Sequence, residues 1–362
     1  MARIAVLGGG QLGRMLGLAG IPLGMSFTFL DPGTEAPAGA VGELVVGALD
    51  DVRAAEVAAK GADVVTYEWE GVPSETARAL EANVPVLPTP DALDVAQDRV
   101  HEKTRLRELG VATAPFVPVD TRAELLAAAA TLGLPAVLKT RRGGYDGKGQ
   151  MLIRADTELE AAWQTLGGVP LILEGFVDFA RELSIVAVRG RDGEIRCWPA
   201  VENEHRDGIL RVTRAPALGA DQAAAETCIR PLLESLSYVG VCCVELFDTA
   251  SGLLANEIAP RVHNSGHWTI EGAECSQFEN HVRAITGMPL GSTAARGSSA
   301  MVNIIGTFPD RDAIVAIEGT HLHDYGKAPR PGRKLGHVTV TAPDVATRDE
   351  RLARVLALGD GA

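Results

Sequence analysis

The sequence is poor in cysteine and has no CxxC pair: five cysteines stand at 197, 228, 242, 243 and 275 of 362 residues. An odd number without paired spacing excludes a disulfide framework, so reduced thiols packed in the interior are expected. No HExxH motif and no Cys/His grid surrounds the HLH at 321–323, which excludes a structural zinc site of the usual patterns. No run of 18 apolar residues escapes charge or glycine, so a membrane-crossing helix is not expected. The opening MARIAVLGGGQLG lacks a basic stretch followed by a clean apolar run, and a cytoplasmic protein is expected. Positive charge is also in deficit: 34 Lys and Arg against 47 Asp and Glu leave a net charge of -13. That field opposes DNA, RNA and anionic lipid, which excludes nucleic acid and membrane as partners and makes any local basic cluster informative.

What is present is a folded composition, 46% hydrophobic and 22% charged, long enough for two or three domains at about 150 residues each. RIAVL, a glycine cluster, a helical stretch and MSFTFLD open the chain as β-α-β. ELVVG, the alanine-rich 51–60, DVVTYEWE, 73–83 and PVLPTP continue the alternation to about residue 95. DRVHEKTRLRELG and TRAELLAAAATLG read as helices, and PAVLKT and PLILEGFV as strands of a module over 112–178. Further on, ELSIVAV, IRCWPAV and ILRVTRAPA read as strands, 219–237 as a helix, and VGVCCVELF-DTASG-LLANEIAP as a hairpin. AMVNIIG and HVTVTA are further strands before a helical tail.

Four constellations point to chemistry. Gly8, Gly10 and Gly13 form GxGxxG after a strand, with Asp31 at the end of the next strand; this suits a dinucleotide or any small phosphate. Lys139 precedes GGYDGKGQ, which reads either as a glycine turn able to fold over phosphate oxygens while the lysine neutralises them or as a tight solvated hairpin with Lys139 and Lys148 exposed. Glu245 and Glu257 sit on opposite arms of the hairpin, symmetric about residue 251 and beside Asn256; a phosphate-bound Mg2+ site and an edge hairpin with two solvated carboxylates both remain open. KAPRPGRK gathers Lys327, Arg330, Arg333 and Lys334 into a shaped anion loop. In YEWEGVP, Glu68 and Glu70 share a strand period; a solvated acidic edge and a crevice lining both remain open, with Tyr67 and Trp69 packing on the other face.

Taken together, GGGQLGRM, YEWEGVP, LKTRRGGYDGKGQ, EGFVDFARELS, VELF, NEIAPRVHNSGHWT and KAPRPGRKLGH resemble the N5-carboxyaminoimidazole ribonucleotide synthase family of ATP-grasp ligases, in family order from residue 3 to about 340. The resemblance implies an α/β ATP-grasp fold with an N-terminal Rossmann-like domain over 1–95. A linker and lid module would cover 96–178, a catalytic core 179–295, and a C-terminal part carrying the phosphate loop 296–362. It implies carboxylation of 5-aminoimidazole ribonucleotide by bicarbonate with ATP and Mg2+, through carboxyphosphate, in purine biosynthesis. It further implies a homodimer and a product passed to N5-carboxyaminoimidazole ribonucleotide mutase.

Carried onto this chain, the resemblance assigns ATP binding to Arg99, Lys139, Gly144, Tyr145, Asp146, Gly147, Lys148, Gly149, Gln150, Glu174, Gly175, Phe176, Val177, Glu182, His205, Asn256 and Glu257. Mg2+ falls to Glu245 and Glu257. The ribonucleotide or bicarbonate falls to Gln11, Leu12, Glu70, Tyr145, Asp146, His263, Asn264, Ser265, Lys327, Arg333 and Lys334. Catalytic roles fall to Lys139, Tyr145, Asp146, Arg261 and Asn264. One departure is Gly71, where the family more often has asparagine. Rival readings are a related ligase with formate or an amino acid in the reaction, an NAD-dependent dehydrogenase, and a nucleotide-sensing protein without transfer chemistry.

Overall fold

Three sheets build the molecule, which a computed structural model describes over residues 2–144 and 147–359. The first has four parallel strands in the order Glu43–Val46, Ser26–Asp31, Arg3–Leu7 and Val64–Tyr67. Its inner strands are apolar on both faces because helices cover both sides. The helix Gln11–Gly20 buries Leu12, Met15 and Leu16 in a core shared with Val186, Val188, Trp268, Phe278 and Val282 of the following part of the chain.

The second sheet, Phe116–Val119, Leu171–Gly175, Ala136–Thr140 and Gln150–Ile153, is antiparallel. The helix Arg122–Leu132 covers it. A capping box starts this helix: Thr121 and Glu124 satisfy each other's backbone N–H groups. The strand Ala136–Thr140 carries Lys139 at its far end and leads into the glycine turn.

The third sheet has nine strands. Its spatial order is Gly252–Ala259, Gly240–Thr249, Arg181–Arg189, Val201–Arg206, Ile209–Ala215, Ser298–Ile305, Lys334–Ala342 and Thr320–Asp324, with Ile195–Cys197 pairing Arg181–Arg189 to one side. The C-terminal segment is therefore continuous with the central sheet through the pairing of Ile209–Ala215 with Ser298–Ile305. Val201–Arg206, VENEHR, has no apolar run, and its strand conformation comes from pairing on both edges. Among the described residues no helix is long and apolar enough to cross a membrane. All five cysteines are free, four of them buried; burial pushes the Cys242 thiol up to about 12, too high for a thiolate near neutrality.

Candidate active site

The hairpin's carboxylate pair depends on one irregularity. Thr249 pairs with Gly252, a register that would set Glu245 opposite Asn256; a bulge between Glu245 and Leu246 shifts the count so that Glu245 faces Glu257. Side chains alternate along a strand, so this shift brings both carboxylates to one side. Burial and the Glu257 charge together raise the Glu245 carboxyl above the ordinary range. Asn256 Oδ1 beside them is buried without a hydrogen-bond partner among the described residues. Two repelling carboxylates and an unused amide oxygen fit a Mg2+ ion, which takes one or two protein carboxylates and completes its shell with phosphate and water. Among the described residues no three His, Cys, Asp or Glu side chains form a self-contained metal cage.

Around the hairpin lies a cleft of about 590 Å³ lined from every part of the chain: Gln11 and Glu70, then Arg99, then Lys139 and Lys148, then Glu182, Asn264 and Lys334. Arg99 begins the helix Arg99–Glu108, whose N-cap Asp98 accepts from Val100 N–H and is gripped by Arg141 at 2.8 Å and 3.0 Å. So placed, Arg99 donates to Glu257 at 3.0 Å and to the Gly144 carbonyl at 3.2 Å, joining the carboxylate hairpin to the glycine turn. Lys139 reaches Glu174 at 2.9 Å. His205 lies 2.6 Å from Glu182; burial would depress its imidazole, and the Glu182 and Glu245 carboxylates outweigh that and raise it.

At the other end Glu70 and Arg261 form an ion pair. Burial alone would raise the Glu70 carboxyl; Arg261 reverses the shift and holds it below the ordinary range. Lys327 donates to Gln11, and Asn264 lines the cleft with both side-chain polar atoms buried and without a partner among the described residues. His263 accepts the Ser265 N–H on Nδ1 at 3.3 Å, which leaves its ring proton on Nε2, 3.4 Å from Glu245. Burial and Arg261 keep this imidazole neutral.

The residues assigned from sequence do not all stand in the cleft. Ser265 is fully buried and holds His263 Nδ1 through its Oγ at 2.8 Å, acting on the site through that ring. Arg333 turns its guanidinium to the Ala328 carbonyl of its own loop at 3.2 Å, while Lys327 and Lys334 line the cleft. Gly175 and Phe176 spend their N–H groups on Pro115 and Pro135 at the end of the lid strand, outside the cleft lining, as is Val177. Gly147, Gln150, Leu12 and Asn256 line it, and Gly149 lies in the same turn as Gly147. Tyr145 and Asp146 lie outside the described residues.

The glycine turn at 8–13 is occupied from within. Gly9 N–H donates to Asp31 at 2.9 Å, Gly10 N–H to Glu68 at 2.8 Å and Gly13 N–H to Glu68 at 3.0 Å. Its anion-binding donors thus serve two carboxylates of the protein, which corrects the dinucleotide reading and the reading of Glu68 as a solvated edge: Glu68 is 9% exposed. A side chain on Gly8 or Gly10 would collide with Glu68. Gly71 has a related cause, since a Cβ there would meet the Trp69 indole. Gln97 supplies an amide at this turn, donating to the carbonyls of Glu70 at 2.8 Å and Val72 at 2.6 Å.

Sequence reasoning missed four buried or lining groups. Phe247 stacks on Phe179 with centroids 4.6 Å apart, an apolar wall that the period-two spacing from Glu245 would have suggested. Lys103 and Glu102 are buried at 0% and 1% exposure in a helix whose composition reads as surface. Glu102 accepts the Ile258 N–H, and burial with the Glu257 charge pushes it up to about 8. Its folded pKa exceeds the unfolded one, so its stabilisation is complete below the ordinary carboxylate range and is lost as pH rises through about 8. Without added metal, Glu102→Gln is expected to gain about 3 °C or more in Tm relative to the unaltered chain between pH 5 and pH 8. Parallel melting curves across that window would contradict the assignment.

Residues 1–97 match the ribonucleotide synthetase preATP-grasp domain, 104–278 the ATP-grasp domain, and 299–351 the phosphoribosylaminoimidazole carboxylase C-terminal domain. The N5-carboxyaminoimidazole ribonucleotide synthase of Pseudomonas aeruginosa is 53% identical over 98% of this chain and 99% of its own. The crystal structure of the synthetase from Thermus thermophilus superposes with a TM-score of 0.95 at 56% identity, covering 98% of each chain. That of the Aspergillus clavatus synthase, in complex with ADP and 5-aminoimidazole ribonucleotide, does so at 0.93 and 32% identity, over 100% of this chain and 99% of that one. Matched along its length, with one cleft assembled from all three matched regions, the chain belongs to the N5-carboxyaminoimidazole ribonucleotide synthase family of ATP-grasp ligases.

Proposed function

We propose that this chain carboxylates 5-aminoimidazole ribonucleotide with bicarbonate and ATP, giving N5-carboxyaminoimidazole ribonucleotide, ADP and phosphate. The observation that carries this reading is the division of one cleft into a nucleotide end, with Lys139, Arg99 and the Glu245–Glu257 pair, and an acceptor end, with Glu70, Arg261, Asn264 and Lys327. A bicarbonate oxygen attacks the γ-phosphorus as ADP leaves. The ribonucleotide amine then attacks the carboxyl carbon, phosphate departs, and the amine loses one proton.

Lys139 and Arg99 hold phosphate oxygens and offset their developing charge. Glu245, Glu257 and Asn256 would hold Mg2+, which supplies phosphate-charge screening when bound. Arg261, kept in place by Glu70, orients the acceptor beside the neutral His263, and Asn264 offers it a donor and an acceptor. The turn after Lys139 contributes Gly147, Lys148 and Gln150 to the cleft lining, and its closure on ATP excludes water from a hydrolysable mixed anhydride. The resemblance also supports a cytoplasmic homodimer that passes its product to N5-carboxyaminoimidazole ribonucleotide mutase.

The reading is tested with oxygen-18 bicarbonate, ATP, Mg2+ and 5-aminoimidazole ribonucleotide: label is expected in phosphate and in the carboxylated product, and its absence from both with folded protein rejects the activity. Lys327→Ala, which removes a cation lining the acceptor end, is expected to raise KM for the ribonucleotide by about tenfold while leaving ATP hydrolysis without acceptor. An unchanged KM in a steady-state titration would remove Lys327 from acceptor recognition.

A further inference from the structure

The helix Arg99–Glu108 is charge-rich, RVHEKTRLRE, yet its Lys103 has no exposed surface. Its ammonium group donates to the Asn256 carbonyl at 2.9 Å and lies 3.4 Å from Glu174 Oε1. Glu174 is itself 3% exposed, and its other oxygen accepts from Lys139 at 2.9 Å. One buried carboxylate is thus shared by two lysines on different elements. Lys139 opens onto the cleft and Lys103 does not. Arg99, the other nearby cation among the described residues, donates to Glu257 and the Gly144 carbonyl and not to Glu174.

We propose that Lys103 is a positioning residue that frees Lys139 for the nucleotide, by remaining as the countercharge of Glu174 when Lys139 turns from Glu174 to the phosphate oxygens of ATP. This rests on reading the cleft as an ATP site. Without Lys103, the same turn would strand a carboxylate in the interior, where an unpaired charge is costly. Lys139 would then stay with Glu174 and be lost to the nucleotide. The Asn256 carbonyl keeps Lys103 from following, and Glu174 Oε1, which accepts no hydrogen bond from the described residues, is the atom it would close upon. The arrangement also ties lid to core: Glu174 is on the lid strand and Asn256 on the carboxylate hairpin.

The test is a double-mutant cycle on the full chain: ATP affinity by titration calorimetry with Mg2+ for the unaltered chain, Lys103→Met, Glu174→Gln and the double variant, with KM for 5-aminoimidazole ribonucleotide measured alongside. Lys103→Met is expected to weaken ATP binding by about tenfold or more and to change the acceptor KM less than about twofold. Once Glu174 is neutral, Lys103 has nothing left to compensate, so the double variant should bind ATP within about threefold of Glu174→Gln alone. That comparison stands even where Lys103→Met does not fold, because the double variant buries neither charge. The proposal is overturned if Lys103→Met binds ATP as the unaltered chain does, or if removing Lys103 costs as much in the Glu174→Gln background as outside it. Failure of the unaltered chain to bind ATP would instead defeat the functional reading itself, and this proposal with it.

Discussion

Glu257→Ala is expected to lower coupled turnover by on the order of 10³-fold, and Glu245→Ala by a similar factor. The bulge sets the two carboxylates opposite each other on the hairpin, and each variant removes one of the two charges that would hold Mg2+ against the phosphates. The same substitution should not unfold the protein. Glu257 raises both the Glu245 and the Glu102 carboxyls by repulsion, so its removal relieves two buried acids at the cost of one partly exposed pair with Arg99. Loss of activity with an unchanged or higher Tm is therefore the signature of a functional pair held against its own electrostatics. The check is phosphate release with and without 5-aminoimidazole ribonucleotide, over a Mg2+ titration, together with a melting curve. Turnover within about tenfold of the unaltered chain would dismiss the metal assignment.

Arg261→Met should fail differently. The pair it forms with Glu70 crosses from the first sheet's domain to the central sheet, 191 residues away in the chain, at the acceptor end of the cleft. Removing the guanidinium leaves Glu70 largely buried without a partner. A stability loss of about 2 kcal/mol is expected, below the full cost of a wholly buried pair because Glu70 keeps some contact with water. Turnover should fall by about 10²-fold or more through loss of acceptor orientation. Glu70→Gln in the same background should restore Tm without restoring turnover, since neutralising the stranded carboxylate repairs the fold and not the orientation. Recovery of both together, or of neither, would show that Arg261 acts through packing alone. Thermal melting and steady-state kinetics on the two variants decide between these outcomes.

Much of this site is legible in the order of residues along the chain. The GGYDGKGQ turn after Lys139, the hairpin bearing Glu245 and Glu257, and the basic KAPRPGRK loop each carry a local pattern, because strand period, turn residues and clustered charge act over a few positions. The limits of that legibility are equally local. Strand symmetry places the two glutamates near one another, but the bulge that makes them face each other is set by the pairing of the whole hairpin. The glycine turn at 8–13 matches a phosphate-binding fingerprint, and only the approach of Glu68 and Asp31 from neighbouring strands shows its donors already taken. Ser265 and Arg333 share motifs with cleft residues and yet point elsewhere, one into the core and one into its own loop.

By itself, then, the sequence determined the acidic field that turns away polyanions, the alternation of strands and helices, the family, and the residue types able to grip phosphate and a divalent ion. The tertiary structure alone decided which charges lie in water and which are buried. Lys103 shows why: its neighbours in sequence are those of a surface helix, while its partners Asn256 and Glu174 stand 153 and 71 positions away. The free energy of a charge depends on what surrounds it in space, and no periodicity along the chain encodes that surrounding.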